Sequence, residues 1–117
     1  MKMYTNSEQT AKLIELGFEK PKNIVEGELY SDTYFAYSIG ELIEILPMAI
    51  THEIWWGGYK GKEGVWGLRI DTCGTEYAWE VSYERDHTAH LYLEGRTELI
   101  DALYDMLVRL KEEGVIL

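Results

Sequence analysis

From Met48 onward the sequence changes its period to two, and that alternation constrains the fold more than any other feature. Ile50, His52, Ile54 and Trp56 fall on one side of the chain, Thr51, Glu53 and Trp55 on the other. Trp66, Leu68 and Ile70 alternate with Val65, Gly67 and Arg69. Tyr77, Trp79, Val81 and Tyr83 alternate with Ala78, Glu80, Ser82 and Glu84, and Ala89, Leu91 and Leu93 with Thr88, His90 and Tyr92. Side chains of a strand point to opposite faces in turn, so each segment predicts a strand with one apolar face. The connections are short: the glycine-rich Tyr59–Gly64, a turn at Asp71–Thr75, and Arg85–His87. Loops of that length join antiparallel neighbours.

Paired residues must share a face, so the apolar pattern proposes registers. Trp56 opposite Trp66 sets Ile54 against Leu68 and His52 against Ile70. The other face then sets Trp55 against Gly67 and Glu53 against Arg69. A turn at Cys73-Gly74 sets Leu68 against Trp79, and a three-residue loop sets Val81 against Leu91. These registers predict a four-stranded antiparallel meander.

Amphipathic segments flank it. Ser7 and Glu8 open a helix over about residues 8–17, and Gly17 can take the left-handed conformation that ends it. Residues 19–30 read as a loop, and Tyr34, Phe35 and Tyr37 as an extended piece. Ser38 and Glu41 have capping-box spacing ahead of Leu42, Ile45 and Leu46, and Pro47 stops that helix. Leu99, Ile100, Leu103, Met106, Leu107 and Leu110 recur at three and four, with Thr97 as the expected cap and Gly114 as the stop. One apolar sheet face plus amphipathic helices predicts an α+β fold with the helices on one face, order ααββββα. At 117 residues, with no linker or repeat, the chain reads as a single domain, 1–117.

Charge and cysteine count bound the function. With 21 acidic and 11 basic residues the formal charge is −10, which argues against direct contact with a nucleic-acid backbone or an anionic membrane. No apolar run is long enough to span a bilayer, and the N-terminus lacks the apolar core of a secretion signal. The single cysteine, Cys73, forms no internal disulfide, so a cytoplasmic location is expected.

No motif for catalysis, metal or cofactor binding emerges, and no enzyme activity, metal or cofactor is expected. His87-Thr88-Ala89-His90 has a spacing that suits metal on a helix, but on a hairpin those side chains diverge. Cys73 lies between Asp71 and Glu76, which would raise a thiol's pKa rather than activate it. Glu53 and Glu80 flank Arg69 on the outer face, an arrangement open to acid–base chemistry but also that of an ordinary charge ladder. His52 reads as a histidine at the core edge.

The aromatic load is the unusual feature, with 4 Trp and 9 Tyr. Trp56, Trp66 and Trp79 fall on the apolar face. Trp55 falls on the outer face with Tyr92, Arg69, His90, Glu53 and Glu80, extended by Tyr59 at the hairpin tip. Two readings stand. Trp55 covers a bare glycine in the neighbouring strand. Alternatively these residues form a partner-binding face, since Trp, Tyr and Arg dominate interface energies.

Tyr37–Pro47 and Glu98–Gly114, with Ser7–Gly17, resemble small hypothetical proteins of bacterial prophages and mobile elements. That resemblance implies a cytosolic accessory protein and supplies no catalytic residues. The leading expectation is a non-enzymatic protein-interaction module presenting the aromatic and charged sheet face to another protein. A second is an acidic mimic of DNA, with a stripe drawn from Asp71, Glu76, Glu80, Glu84 and Asp86 that blocks a nucleic-acid-binding protein. A third is an enzyme or small-molecule binder with a pocket between the sheet and the loop at residues 19–37. A homodimer through an edge strand is also open.

Overall fold

A computed structural model describes the chain apart from residues 28–32, 57–58, 73–77, 86–88 and 117, and gives the backbone alone for 53–56, 59–63 and 89. The architecture is α+β. A four-stranded antiparallel meander is built from β3 (Ala49–Trp56), β4 (Tyr59–Thr72), β5 (Trp79–Arg85) and β6 (Ala89–Arg96), in that order. Helices α1 (Ser7–Glu15), α2 (Ile39–Ile45) and α3 (Leu99–Glu112) accompany it. Between α1 and α2 the chain adds an antiparallel ribbon, β1 (Asn23–Glu26) with β2 (Thr33–Ala36). The loop expected at 19–30 therefore contains a strand. Asn23 fixes it, donating from its side chain to the Ala36 carbonyl (3.3 Å) and to Glu41 of α2.

The helices start and stop for local reasons. Asn6, not Ser7, caps α1: the Gln9 N–H donates to Asn6 Oδ1 (2.8 Å) and the Asn6 N–H donates back to Gln9 Oε1 (3.0 Å). Ser38 and Glu41 form the expected box on α2. Thr97 does not cap α3. The N-cap is Glu98, whose side chain accepts the backbone N–H of Lys2 (2.9 Å) instead of capping its own helix. Gly17 (φ 98°) and Gly114 (φ 75°) take the left-handed conformation beyond α1 and α3. After Gly114 the chain returns, with Val115 and Ile116 packed on the core.

The core lies between α3 and one face of the sheet. Leu103, Met106, Leu107 and Leu110 of α3 are fully buried, with Val81 and Tyr83 of β5 beneath them and Leu13, Tyr37 and Leu42 alongside. A corner bond ties the layers together: the buried Tyr83 hydroxyl donates to the Pro47 carbonyl (2.7 Å). Burial holds that phenol well above its ordinary pKa, so it remains a donor.

The registers differ from the apolar-match expectation. Trp66 pairs with Ile50, not Trp56, and Gly67 pairs with Ala49, not Trp55. The Tyr59–Gly64 stretch read as a loop is strand, paired with β3 on either side of a register shift between Glu53 and Trp55. Ile70 pairs with Val81 and Leu68 with Tyr83, which keeps the expected face. In β6 the face changes. A bulge lies between Glu84, opposite His90, and Tyr83, opposite Tyr92, leaving Leu91 as the extra residue. Beyond the bulge the alternation is inverted: Tyr92 turns into the core at 8% exposure and Leu93 faces outward at 41%.

Candidate functional site: the uncovered sheet face and the hairpin arm

With Trp66, Leu68, Ile70, Val81, Tyr83 and Tyr92 directed to the core, the alternate residues form the opposite face. Arg69, Asp71 and Glu84 meet there. Arg69 Nε lies 2.5 Å from Asp71 Oδ2, and Nη1 lies 2.9 Å from Glu84 Oε2. Both bonds hold the guanidinium charged, Asp71 contributing most. Glu84 also approaches His90 Nδ1 (3.3 Å). Ser82 is buried on this side. Around the cluster the face is small and apolar. Ala49 and Thr51 are exposed, Val65 is 64% exposed, and a Cβ added at Gly67 would meet nothing within 4 Å.

Sequence reasoning found Arg69 and His90 on this face and missed Glu84 as their common partner. Period two already placed Glu84 on the side of Arg69, but the expected register set Glu53 opposite Arg69. Glu53 instead pairs with Glu63. Glu80 is in register with Asp71 and lies beside Gly95, whose added Cβ would be 3.9 Å from Glu80 Cγ. Glu53 and Glu80 therefore do not bracket Arg69. Tyr92 leaves the proposed face for the core. The Arg109 guanidinium sits 5.0 Å above its ring and reaches on to Glu94 (3.0 Å). Arg69 offsets half of the charge in the middle of the acidic stripe by binding both Asp71 and Glu84, while Glu76 and Asp86 lie outside the described residues.

Trp55 and Tyr59 sit elsewhere, on an arm. The first described pair of β4 with β5 is Gly67 with Glu84, yet β4 begins at Tyr59. Over residues 59–65, its described partners are residues of β3 alone. Seven strand residues at about 3.3 Å each give a ribbon of roughly 23 Å beyond the end of β5. The molecule is correspondingly elongated, 57 × 33 × 19 Å. Pairing of Trp56 with Tyr59 and Trp55 with Lys60 places three aromatic residues at the far end of the ribbon.

The remaining candidates carry less. Cys73 and His87 lie outside the described residues, and among the described ones no three metal-ligating groups converge. The half-buried His52 borders an open depression of about 550 Å³ with Ile50 and Glu113, consistent with a core-edge histidine. A pocket of about 380 Å³ lies against the 17–22 segment. Its other walls are Tyr37, α2 and the end of α3 rather than the sheet, and Lys20, Lys22 and Lys111 are matched there by Glu19, Glu41 and Glu44. Among the described residues, no helix is long and apolar enough to cross a membrane. No family model, curated protein or solved structure matches this chain.

Proposed function

We propose that the chain is a non-enzymatic protein-interaction module acting in the cytoplasm, an accessory protein of prophage or mobile-element origin. Its binding surface is the β3–β4 arm together with the adjoining outer face of the sheet. The projection of the arm carries this reading. An isolated two-stranded ribbon is marginally stable in water, so an arm of this length gains most when a partner covers it. Its end carries Trp55, Trp56 and Tyr59, residue types that dominate interface energies. Arg69, held by two carboxylates, gives the adjoining face a fixed polar anchor.

The test is Trp55→Ala. The variant should keep the wild-type thermal transition, because position 55 lies on the ribbon beyond the core, and lose at least tenfold of partner retention on an affinity matrix. Loss of folding would place Trp55 in the core and overturn the reading. So would full retention in both Trp55→Ala and Arg69→Met.

A further inference from the structure

The ribbon of β1 and β2 has one fastened side and one free edge. On the β2 side, the Tyr34 hydroxyl donates to the Thr5 carbonyl (3.1 Å). Just past β2, the Tyr37 N–H donates to Thr5 Oγ1 (3.0 Å) and the Tyr37 carbonyl accepts the Thr5 N–H (3.0 Å). β1 pairs with β2 alone, so its other edge keeps backbone donors and acceptors that have no backbone partner among the described residues. Along it burial alternates: Asn23 and Val25 are half-buried, while Lys22, Ile24 and Glu26 are exposed. Ile24 is 67% exposed, and Phe35, opposite it on β2, is 55% exposed. Natural sheets commonly blunt an open edge with lysines or other charges. Here the charges have opposite sign, Lys22 before Ile24 and Glu26 after it, and neither makes an ion pair among the described residues.

We infer that two copies pair through this edge, β1 of each antiparallel to β1 of the other about a twofold centred on Ile24. That register sets Ile24 against its own copy and Lys22 of each chain against Glu26 of the other, so both ion pairs form together and the assembly closes at a dimer. The exposed residues stay on one face. Phe35, Ile24, the second Ile24 and the second Phe35 then form one apolar row across four strands. The neighbouring registers that keep the faces aligned lose this match: centred on Asn23, Ile24 meets Lys22, and centred on Val25, Ile24 meets Glu26. Pro21 has no N–H to offer and ends the pairing on one side. At the β6 edge the charges are already taken, Glu94 by Arg109 (3.0 Å) and Arg96 by Asp105 (2.6 Å).

The contact is small, residues 22–26 of each chain with Phe35 beside them, so a dissociation constant on the order of 100 µM is expected. Sedimentation velocity from roughly 10 µM to 1 mM should show a monomer–dimer equilibrium. Lys22→Glu alone, or Glu26→Lys alone, sets like charges opposite each other twice and should raise the constant at least about fivefold. Lys22→Glu with Glu26→Lys in the same chain should restore it. Both positions are exposed, so circular dichroism should be unchanged throughout. Disulfide trapping in a Cys73→Ser background reads the register. Directly opposed residues lie about 4.5–5.5 Å apart at Cα, within disulfide reach, so Ile24→Cys should link two copies on oxidation much faster than Glu26→Cys. A monomer up to 1 mM overturns the inference. So does a dimer that ignores the single reversals, one that the double swap fails to restore, or equal linking at positions 24 and 26. The β3–β4 arm takes no part in this contact, so its role as a binding element stands or falls separately.

Discussion

Replacing Asp101 by Asn tests how the N-terminus is fastened to α3. Asp101 accepts from Gln9 Nε2 (2.8 Å) and from Lys2 Nζ (3.0 Å), while the Lys2 N–H donates to Glu98 (2.9 Å). The Asp101 side chain is 14% exposed and that of Lys2 is 34% exposed. Burial alone pushes the carboxyl pKa up. Hydrogen bonds from Gln9 and Lys2, with the charges of Lys2 and Arg96, outweigh it and hold the group below its ordinary value. Asn keeps the shape and one acceptor oxygen but loses the charge. A hydrogen bond to a charged group contributes about 1 kcal/mol more than a neutral one. The ion pair with the more exposed Lys2 adds about 0.5 kcal/mol after screening. The expected cost near neutral pH is about 1.5 kcal/mol, or roughly 6 °C in Tm for a domain of this size.

The pH dependence fixes the sign. A carboxyl whose pKa is lowered on folding binds its proton more readily when unfolded. Its contribution is complete above about pH 4, the ordinary carboxylate value, and disappears as pH falls through the folded value. Urea unfolding followed by circular dichroism should show the gap between wild type and Asp101→Asn widest near pH 7 and closing in acid. A gap that persists undiminished near pH 2, or one below about 0.3 kcal/mol at neutral pH, would refute the reasoning.

Two further outcomes follow from local geometry. Ser38→Ala should cost about 1 kcal/mol by removing a formed cap, whereas Thr97→Ala should cost almost nothing because Glu98 occupies the cap position; equal losses in chemical denaturation would contradict this assignment. Tyr83→Phe should cost about 1–3 kcal/mol by leaving the Pro47 carbonyl without its donor, and an unchanged urea midpoint would show that water replaces the hydroxyl.

The helices and the existence of four strands were legible because their signals are local. Ser38 with Glu41, the stripe from Leu99 to Leu110, and Gly17 and Gly114 each act within a few residues. Register was not legible, because matching Trp with Trp is only one of several pairings that keep an apolar face. The glycines at 61 and 64 read as loop, although Gly64 pairs with His52 and the strand continues past a register shift to pair Lys60 with Trp55. The bulge at Leu91 leaves no mark in the alternation, yet it alone sends Tyr92 inward and Leu93 outward. Arg69 and His90 were legible as outer-face residues by parity. Their link through Glu84 needed the true pairing of Gly67 with Glu84.

Hydrogen exchange by mass spectrometry tests the central claim, that the β3–β4 arm is a binding element, most directly. In dilute protein the amides of residues 51–56 and 59–65 should exchange far faster than those of β5, since strand pairing with β3 alone protects them weakly. With a bound partner, the same amides should slow while β5 stays as it was. Arm amides as slow as those of β5 in the free protein would contradict the account, and so would protection gained only over the helices.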